Sequence, residues 1–169
     1  MIEVVIDSVR ASLMTNHRMI ILRETDRDRY LPIFIGPPEA DAIAVELLGR
    51  TVSRPLTHDL LKAVIDSMGG RVSHVLVNDL RDDTFFARII MDVNGEKLEV
   101  DSRPSDAIAL AVRVKAPIFV NDSVMDQAGV VPEEGISELT EEQTSVSKED
   151  LSAFRDFVEG LDLDDFGFD

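Results

Sequence analysis

The sequence predicts an α+β fold in which two β-β-β-α-α units join into one strongly curved, barrel-like sheet flanked by helices. Runs rich in β-branched residues alternate with turn residues, which is typical of strands. Each set of three such runs is followed by a segment that begins with proline and has apolar residues at helical spacing. The segments 41–45 and 106–110 are nearly identical at an offset of 65 residues. Duplication of one unit explains this repeat. Convergence of two strand-proline-helix junctions on similar residues explains it as well.

Three strands and a helix are predicted in the first 50 residues. The strands cover 4–13, 19–22 and 30–35, with turn residues between them. Pro32 has no backbone N–H, which favours an edge strand or a bulge for the third. Gly36-Pro37-Pro38 ends that strand, and a helix follows over 38–48 with proline in its first turn.

The second half of the domain is predicted to repeat this pattern after another helix. Thr57 is expected to cap that helix, whose apolar residues recur at spacings of three and four. The buried face this spacing predicts consists of Leu60, Leu61, Val64, Ile65 and Met68. Strands are predicted at 72–80, 85–93 and 97–101, the last two joined by an Asn94-Gly95 hairpin turn. Pro104 opens a third helix, and a short strand at 117–120 and a short helix at 123–128 follow.

The composition excludes several classes of protein. The chain has 169 residues and no cysteine, which excludes a disulfide scaffold, a thiolate zinc site and cysteine-based catalysis. Acidic residues near the start argue against a signal peptide. No apolar run approaches the roughly 20 residues of a membrane-spanning helix. We therefore expect a cytoplasmic protein.

The charge is unevenly distributed along the chain. Lysine and arginine number 17 against 33 acidic residues, a net charge of −16, which repels polyanions at long range. Residues 131–169 carry −11 of this charge and residues 1–130 only −5. We predict a domain over 1–130 and an acidic, partly disordered tail over 131–169 with a short amphipathic helix at 149–161. The tail either aids solubility or docks on a protein partner.

A first polar cluster lies at the start of the second predicted helix. It contains Arg54, Thr57, His58 and Asp59. Taken singly, Asp59 is explained by the positive end of the helix, and His58 by a surface or hydrogen-bonded position. These separate explanations do not account for an arginine, a histidine and a carboxylate so close together.

A second polar cluster, residues 101–106, joins the last long strand to the third helix. Ser102 and Ser105 are predicted caps. Carboxylates at a strand end beside a helix N-terminus can hold a divalent metal or orient an arginine. Asp101 and Asp106 are thus candidate metal ligands, and Arg103 is equally expected to form an ion pair with one of them.

These clusters carry a resemblance to a known family. The stretches 54–60 and 101–109 are similar to two signature segments of the bifunctional nuclease domain family. Ile35-Gly36 with 39–43 resembles a third segment, and 84–87 resembles a fourth. The resemblance covers about residues 1–130. It implies an α+β fold with a duplicated unit and activity on RNA and DNA, and it marks Glu39, Thr57 and Ser105 as further signature positions.

Two functions from different classes remain open. The first is a nuclease (an RNase, a DNase or both) that hydrolyses phosphodiester bonds with a divalent metal, Mg²⁺ or Mn²⁺. Its metal ligands and catalytic carboxylates would be Asp59, Asp101 and Asp106; Arg54 or Arg103 would bind phosphate, and His58 would shuttle a proton. The second is a non-catalytic regulatory module that binds a small anionic ligand or a protein partner through the same arginines.

The nuclease hypothesis makes one structural prediction. His58, Asp59, Asp101, Arg103 and Asp106 should lie around one shared polar cleft, since buried polar groups need one another as partners. A homo-oligomer is also expected, because a β-rich unit of this size has sheet edges to cover.

Overall fold

A computed structural model describes residues 1–11 and 18–132. They form one compact unit, Met1–Val131. The predicted acidic tail and its helix at 149–161 lie outside the described residues. The elements in chain order are β1 (Ile2–Ala11), β2 (Arg18–Glu24), β3 (Tyr30–Ile35), α1 (Pro37–Leu47), α2 (Thr57–Ser67), β4 (Gly70–Arg81), β5 (Thr84–Val93), β6 (Glu96–Ser102), α3 (Pro104–Val114), β7 (Ile118–Val120) and α4 (Asp122–Ala128).

The strands form a single mixed sheet, which confirms the predicted α+β class. Its order is β3-β2-β1-β7-β4-β5-β6, and it curls into a half-barrel. Two antiparallel meanders, β1-β2-β3 and β4-β5-β6, are joined through the short strand β7. This strand runs antiparallel to β1 and parallel to β4.

The duplication stays a prediction. Each meander is followed by a helix with proline in its first turn, α1 or α3. The order then differs, because α2 follows α1 directly whereas β7 separates α3 from α4.

Helix α3 forms the centre of the core. It contacts α1, α2 and the strands β4 and β5, so side chains on most of its surface are buried. Ile108 and Leu110 are fully buried, and burying side chains of this size contributes about 1.5–3 kcal/mol each. The helix that the sequence marks only by Pro104 and an apolar stripe is thus the element around which the unit packs.

Helix α2 departs from the predicted burial. Only Ile65 of the five apolar residues is buried and Leu61 is partly buried, while Leu60, Val64 and Met68 are exposed. The helix contacts α3 and β4 on one side, and nothing among the described residues covers the opposite stripe. Periodicity predicted the helix correctly, but the side it presents to the core is set by its neighbours.

The hairpin turns follow from local chemistry. Asn94 and Gly95 adopt positive φ, as an Asn-Gly turn requires, and the N–H of Gly95 donates to Asp92. The turn between β4 and β5 also needs two positive φ values and uses Asp82 and Asp83, at 47° and 56°. This turn carries the β4–β5 hairpin to the end of the sheet where α1 and α3 begin.

Two strands form the open edges of the sheet. Among the described strands, β3 pairs with β2 alone, which agrees with the edge position predicted from Pro32, and its first residue, Tyr30, forms an isolated bridge with Val130. In the described part of the chain, strand β6 pairs with β5 alone and is exposed along almost its whole length. No helix in the described ranges is long and apolar enough to cross a membrane.

Candidate functional site

The polar clusters meet where α1, α2 and α3 begin. Glu39 lies in the first turn of α1, His58 in that of α2 and Asp106 in that of α3. Arg103 precedes α3 and reaches both acidic residues. The four side chains form one hydrogen-bonded chain, so residues 64 positions apart in sequence are in direct contact.

Arg103 links Glu39 to Asp106 within this chain. Its Nε donates to Asp106 Oδ2 at 2.7 Å, and its Nη2 donates to Glu39 Oε1 at 2.7 Å. The bonds to Asp106 and then to Glu39 raise the pKa of the guanidinium. The side chain is still 66% exposed, and three of its five N–H donors have no partner among the described residues. Arg103 is therefore oriented by protein and open to an anion.

His58 forms the inner end of the chain. Its Nε2 lies 3.1 Å from Asp106 Oδ1, and its side chain is only 8% exposed. Burial raises the pKa of Asp106, but bonds from Arg103 and His58 more than offset this, and the pKa lies below the ordinary carboxyl value. The ionised carboxylate can only accept, so Nε2 carries the hydrogen. The other ring nitrogen, Nδ1, is buried with no partner in the described part of the chain.

Asp59 points into a separate ion pair. It accepts the backbone N–H of Leu56 at 2.7 Å and Arg113 Nε at 2.6 Å. Burial raises the pKa of this carboxyl, and the two bonds outweigh the burial and lower it. The acid at the start of α2 therefore stabilises the helix, as expected, and also neutralises a buried arginine.

Arg113 is the residue that sequence reasoning missed. Its side chain is only 3% exposed, and its remaining bonds go to the carbonyls of Ala109 and Ala42. It ties α3 to α1 and, through Asp59, to α2. An arginine near the end of an otherwise apolar helix was the available signal, because a buried charge needs a partner.

The structure leaves two predicted site residues outside the network. Asp101 lies exposed on β6 opposite Arg88, and Arg103 pairs with Asp106 rather than with it. Arg54 is exposed in the connection between α1 and α2, without an ion pair to a described residue. The prediction of one shared cleft is thus right for His58, Arg103 and Asp106 and wrong for Asp101; Asp59 adjoins the cleft but faces Arg113.

The predicted caps are also wrong. Thr57 is the first helical residue of α2, Leu56 occupies the cap position, and Asp59 accepts the cap N–H. Arg103 occupies the cap position of α3 with no side-chain cap bond. Proline at the first helical position leaves one fewer N–H to satisfy. Ser102 instead donates to the carbonyl of Arg103, and Ser105 is buried.

Two clefts adjoin this network, and Arg103 borders both. The acidic cleft, about 410 Å³, is lined by the polar side chains Glu39, Asp41, Thr57, His58 and Asp106 beside apolar residues such as Val52. The aromatic cleft, about 380 Å³, is lined by Ile33–Gly36 of β3 and its end, Asp83–Phe85 of the β4–β5 hairpin, and Arg103–Ser105. The four segments that carry the family resemblance all contribute to these two clefts.

The site does not fit a metal ion by the residues described. Among them, no group of three or more His, Asp or Glu side chains is placed to hold one. Arginines already bind three of the carboxylates at or beside the clefts, since Glu39 and Asp106 bind Arg103, and Asp59 binds Arg113.

Comparison with known sequences decides the family. Residues 20–133 match the Bifunctional nuclease domain. The chain belongs to the bifunctional nuclease domain family. Bifunctional nuclease 2 of Arabidopsis thaliana is 32% identical over 109 residues, which is 62% of this chain and 33% of that protein. Bifunctional nuclease 1 of Oryza sativa subsp. indica is 27% identical over 118 residues, 68% of this chain and 36% of that protein.

A bacterial relative matches almost the whole length of the chain. An uncharacterized protein of Mycobacterium tuberculosis is 41% identical over 165 residues, 97% of both chains. The family-level similarity to the plant nucleases covers only about a third of those proteins. Membership therefore identifies the domain, and the reaction of this chain is a proposal.

Proposed function

We propose that this chain is a nuclease that hydrolyses phosphodiester bonds in RNA, DNA or both at the junction of the two clefts. The observation that carries the proposal is Arg103, an oriented and exposed guanidinium next to the half-buried Asp106, which is bonded to the buried His58. Arginine binds phosphate through paired N–H donors, and three of its donors are open. Bifunctional nuclease proteins among the relatives support the reaction class.

The roles differ from residue to residue. Arg103 binds the scissile phosphate and stabilises the charge that develops on it. Glu39 and Asp106 hold the guanidinium in place. His58 moves the proton, which requires its ring to leave Asp106 and present a nitrogen to the acidic cleft, because Nδ1 is buried in the structure described. Asp59 acts behind the site by neutralising Arg113.

Whether cleavage depends on Mg²⁺ or Mn²⁺ is tested in the assay described below. Since arginines bind Glu39, Asp59 and Asp106, no step above is assigned to a metal. A ligand set would have to be formed with groups outside the described residues or with the substrate itself.

One observation favours a second function, a non-catalytic module that binds a small anion or a protein partner. Glu39 and Asp106 are bound to Arg103 and the accepting nitrogen of His58 is buried, so none of the groups bonded to one another in this network is a free base in the resting arrangement. Such a module would bind an anion at Arg103 without consuming it.

A cleavage assay separates the two functions. Purified protein is incubated with labelled RNA and single-stranded DNA in Mg²⁺, in Mn²⁺ and in EDTA. The nuclease proposal expects cleavage that falls about 100-fold or more in Asp106→Asn. Asp66→Asn is the matched control, because Asp66 is an ion-paired aspartate that lies on α2 and pairs with Lys62. Binding of oligonucleotide without cleavage favours the module, and equal cleavage by wild type and the combined variant His58→Ala, Arg103→Met, Asp106→Asn indicates a contaminant.

A further inference from the structure

We propose that the acidic cleft is a guanine subsite, in which the carboxylate of Asp41 accepts two N–H groups of the base while the adjoining phosphate pairs with Arg103. The inference rests on the proposed function, because it gives one base of that substrate a place and an identity. It predicts that single strands are bound at guanine in preference to the other bases and are cut beside it.

Asp41 is the first observation behind this assignment. It is exposed on α1 and lines the acidic cleft. The other carboxylates that line this cleft, Glu39 and Asp106, are bound to Arg103. Asp41 itself forms no hydrogen bond or ion pair with another described residue. Both of its carboxylate oxygens can therefore accept N–H donors from a ligand.

Two neighbouring acceptors select guanine among the bases. Guanine presents N1–H and N2–H side by side on its Watson–Crick edge, and both oxygens of one carboxylate can accept from them. Adenine and cytosine place an acceptor nitrogen beside their amino group, and uracil and thymine place a carbonyl on each side of one N–H. A carboxylate therefore repels part of the Watson–Crick edge of every base except guanine.

Thr57 supplies a donor next to these acceptors. It is exposed at the start of α2, lines the same cleft and does not occupy the cap position of its helix. Its hydroxyl forms no hydrogen bond with another described residue, so it can donate to O6, the guanine acceptor next to N1–H. Asp41 and Thr57 together complement the three polar groups of the guanine edge.

The remaining walls of the cleft favour a base over a phosphate. Val45, Val52 and Leu56 line it, and Val52 is 44% exposed. Apolar side chains of this kind pack against the faces of an unstacked base. Arg103 is the one cation among the described residues that line the cleft, and it borders the aromatic cleft as well. A nucleotide therefore places its phosphate at Arg103 and its base between the apolar side chains and Asp41.

The inner end of the cleft contains an acceptor without a partner. His58 lines the cleft with a side chain that is only 8% exposed, and its Nδ1 is buried and unpartnered within the described part of the chain. A buried polar atom without a hydrogen bond costs free energy. An N–H or O–H of a ligand in the cleft satisfies this nitrogen once the ring turns, which the proposed reaction also requires. The cleft is about 410 Å³, within the range of small-ligand pockets.

Equilibrium binding tests the subsite without requiring catalysis. The 3′,5′-bisphosphates of guanosine, inosine and adenosine carry a phosphate on each side of the sugar and have no diester bond to cut. Each is titrated into the full chain by calorimetry. Guanosine bisphosphate should bind about 5- to 150-fold more tightly than adenosine bisphosphate. Inosine bisphosphate, which lacks the N2 amino group, should bind with intermediate affinity. Equal affinities for the three nucleotides overturn the subsite.

Variants of the two polar residues locate the preference. Asp41→Asn should lower the affinity for guanosine bisphosphate about 5- to 150-fold without lowering that for adenosine bisphosphate. Glu46→Gln is the matched control, because it removes the same charge from the same helix at a residue that is not among those lining the cleft. Equal changes for both nucleotides in Asp41→Asn, or the same loss of preference in Glu46→Gln, overturn the subsite.

Thr57 provides a second variant pair. Thr57→Val should weaken the binding of guanosine bisphosphate, and Thr57→Ser, which keeps the hydroxyl, should not. Circular dichroism checks that each variant folds, and the Thr57 pair decides the question if Asp41→Asn does not fold. Equal binding of guanosine bisphosphate by Thr57→Val and Thr57→Ser contradicts the proposed donor.

The same measurements separate this inference from the proposed function. A preference for guanosine bisphosphate that depends on Asp41 supports the subsite even if no substrate is cleaved, and then the nuclease proposal alone fails. Cleavage that depends on Asp106, combined with nucleotide binding that does not distinguish guanine, removes the subsite alone.

Discussion

Arg113 and Asp59 form the ion pair whose loss should cost the most stability. Replacing Arg113 by methionine leaves Asp59 without its buried partner and removes three hydrogen bonds, two of which join α3 to other helices. We expect the free energy of unfolding to fall by about 3–5 kcal/mol. Urea denaturation measures it. Arg88→Met is the control, since it breaks the exposed pair with Glu99, where a change below about 1 kcal/mol is expected. Equal losses in the two variants would contradict a buried role for Arg113.

The same aspartate gives a prediction for acid stability. The pKa of Asp59 is lowered in the folded protein, so its contribution is complete above the unfolded value of about 3.9 and is lost as the pH falls through the lower folded value. In Asp59→Asn this loss cannot occur. The free energy of unfolding should therefore depend less steeply on pH below about pH 5 in the variant than in the wild type. Parallel curves for both proteins would show that Asp59 does not contribute to the acid response.

Single residues also mark where sequence reasoning stops. Asp106 and Arg103 could be paired from their spacing of three at a helix start. Their contacts with Glu39 and His58 depend on how three helices meet, which no local pattern encodes. Asp101 was grouped with them because it is close in sequence. In β6, however, it lies opposite Arg88 on an exposed strand and lines neither cleft.

At the scale of elements, truncating an apolar side chain should lower the free energy of unfolding strongly in helix α3 and hardly at all in helix α2. Leu110 of α3 is fully buried, so Leu110→Ala should reduce the free energy of unfolding by about 2–5 kcal/mol. Leu60 of α2 belongs to a set of apolar residues at helical spacing, but it is 60% exposed. Leu60→Ala should therefore change the free energy of unfolding by less than about 0.5 kcal/mol. Chemical denaturation of the two variants side by side checks both values. A large loss at Leu60 would mean that the exposed stripe of α2 is covered, for example by a second copy.

Strand and turn positions were predictable because their signals are local. The third strand, 30–35, has the predicted bounds, and the Asn94-Gly95 turn has the predicted backbone. Which side of α2 faces the core was not predictable, because a stripe of leucine, valine and methionine does not identify the element that packs against it. The two meanders were visible in sequence, but the position of β7 between them, next to β1 and β4, is a long-range pairing.

The proposed nuclease activity requires that a protein whose own net charge is −16 binds a polyanion. Arg103 is the one cation described at the clefts, so the salt dependence should be that of a single phosphate contact. Raising salt from about 50 to 200 mM should change KM for a short single strand by less than about threefold. Added salt also screens the repulsion between the acidic protein and the substrate, which favours binding. The dependence of KM on salt should therefore be weaker still. A loss of several orders of magnitude would instead indicate a basic surface outside the described residues.

The central claim is that Arg103 forms the phosphate site of a nuclease. The most direct test compares cleavage of one labelled single strand by wild type, Arg103→Met and Arg88→Met. Both variants remove one exposed arginine from an ion pair and change the net charge equally. The account predicts cleavage by the wild type, near-equal cleavage by Arg88→Met, and a rate about 100-fold or more lower for Arg103→Met. Cleavage that is the same in all three proteins, or absent from the wild type, would contradict it.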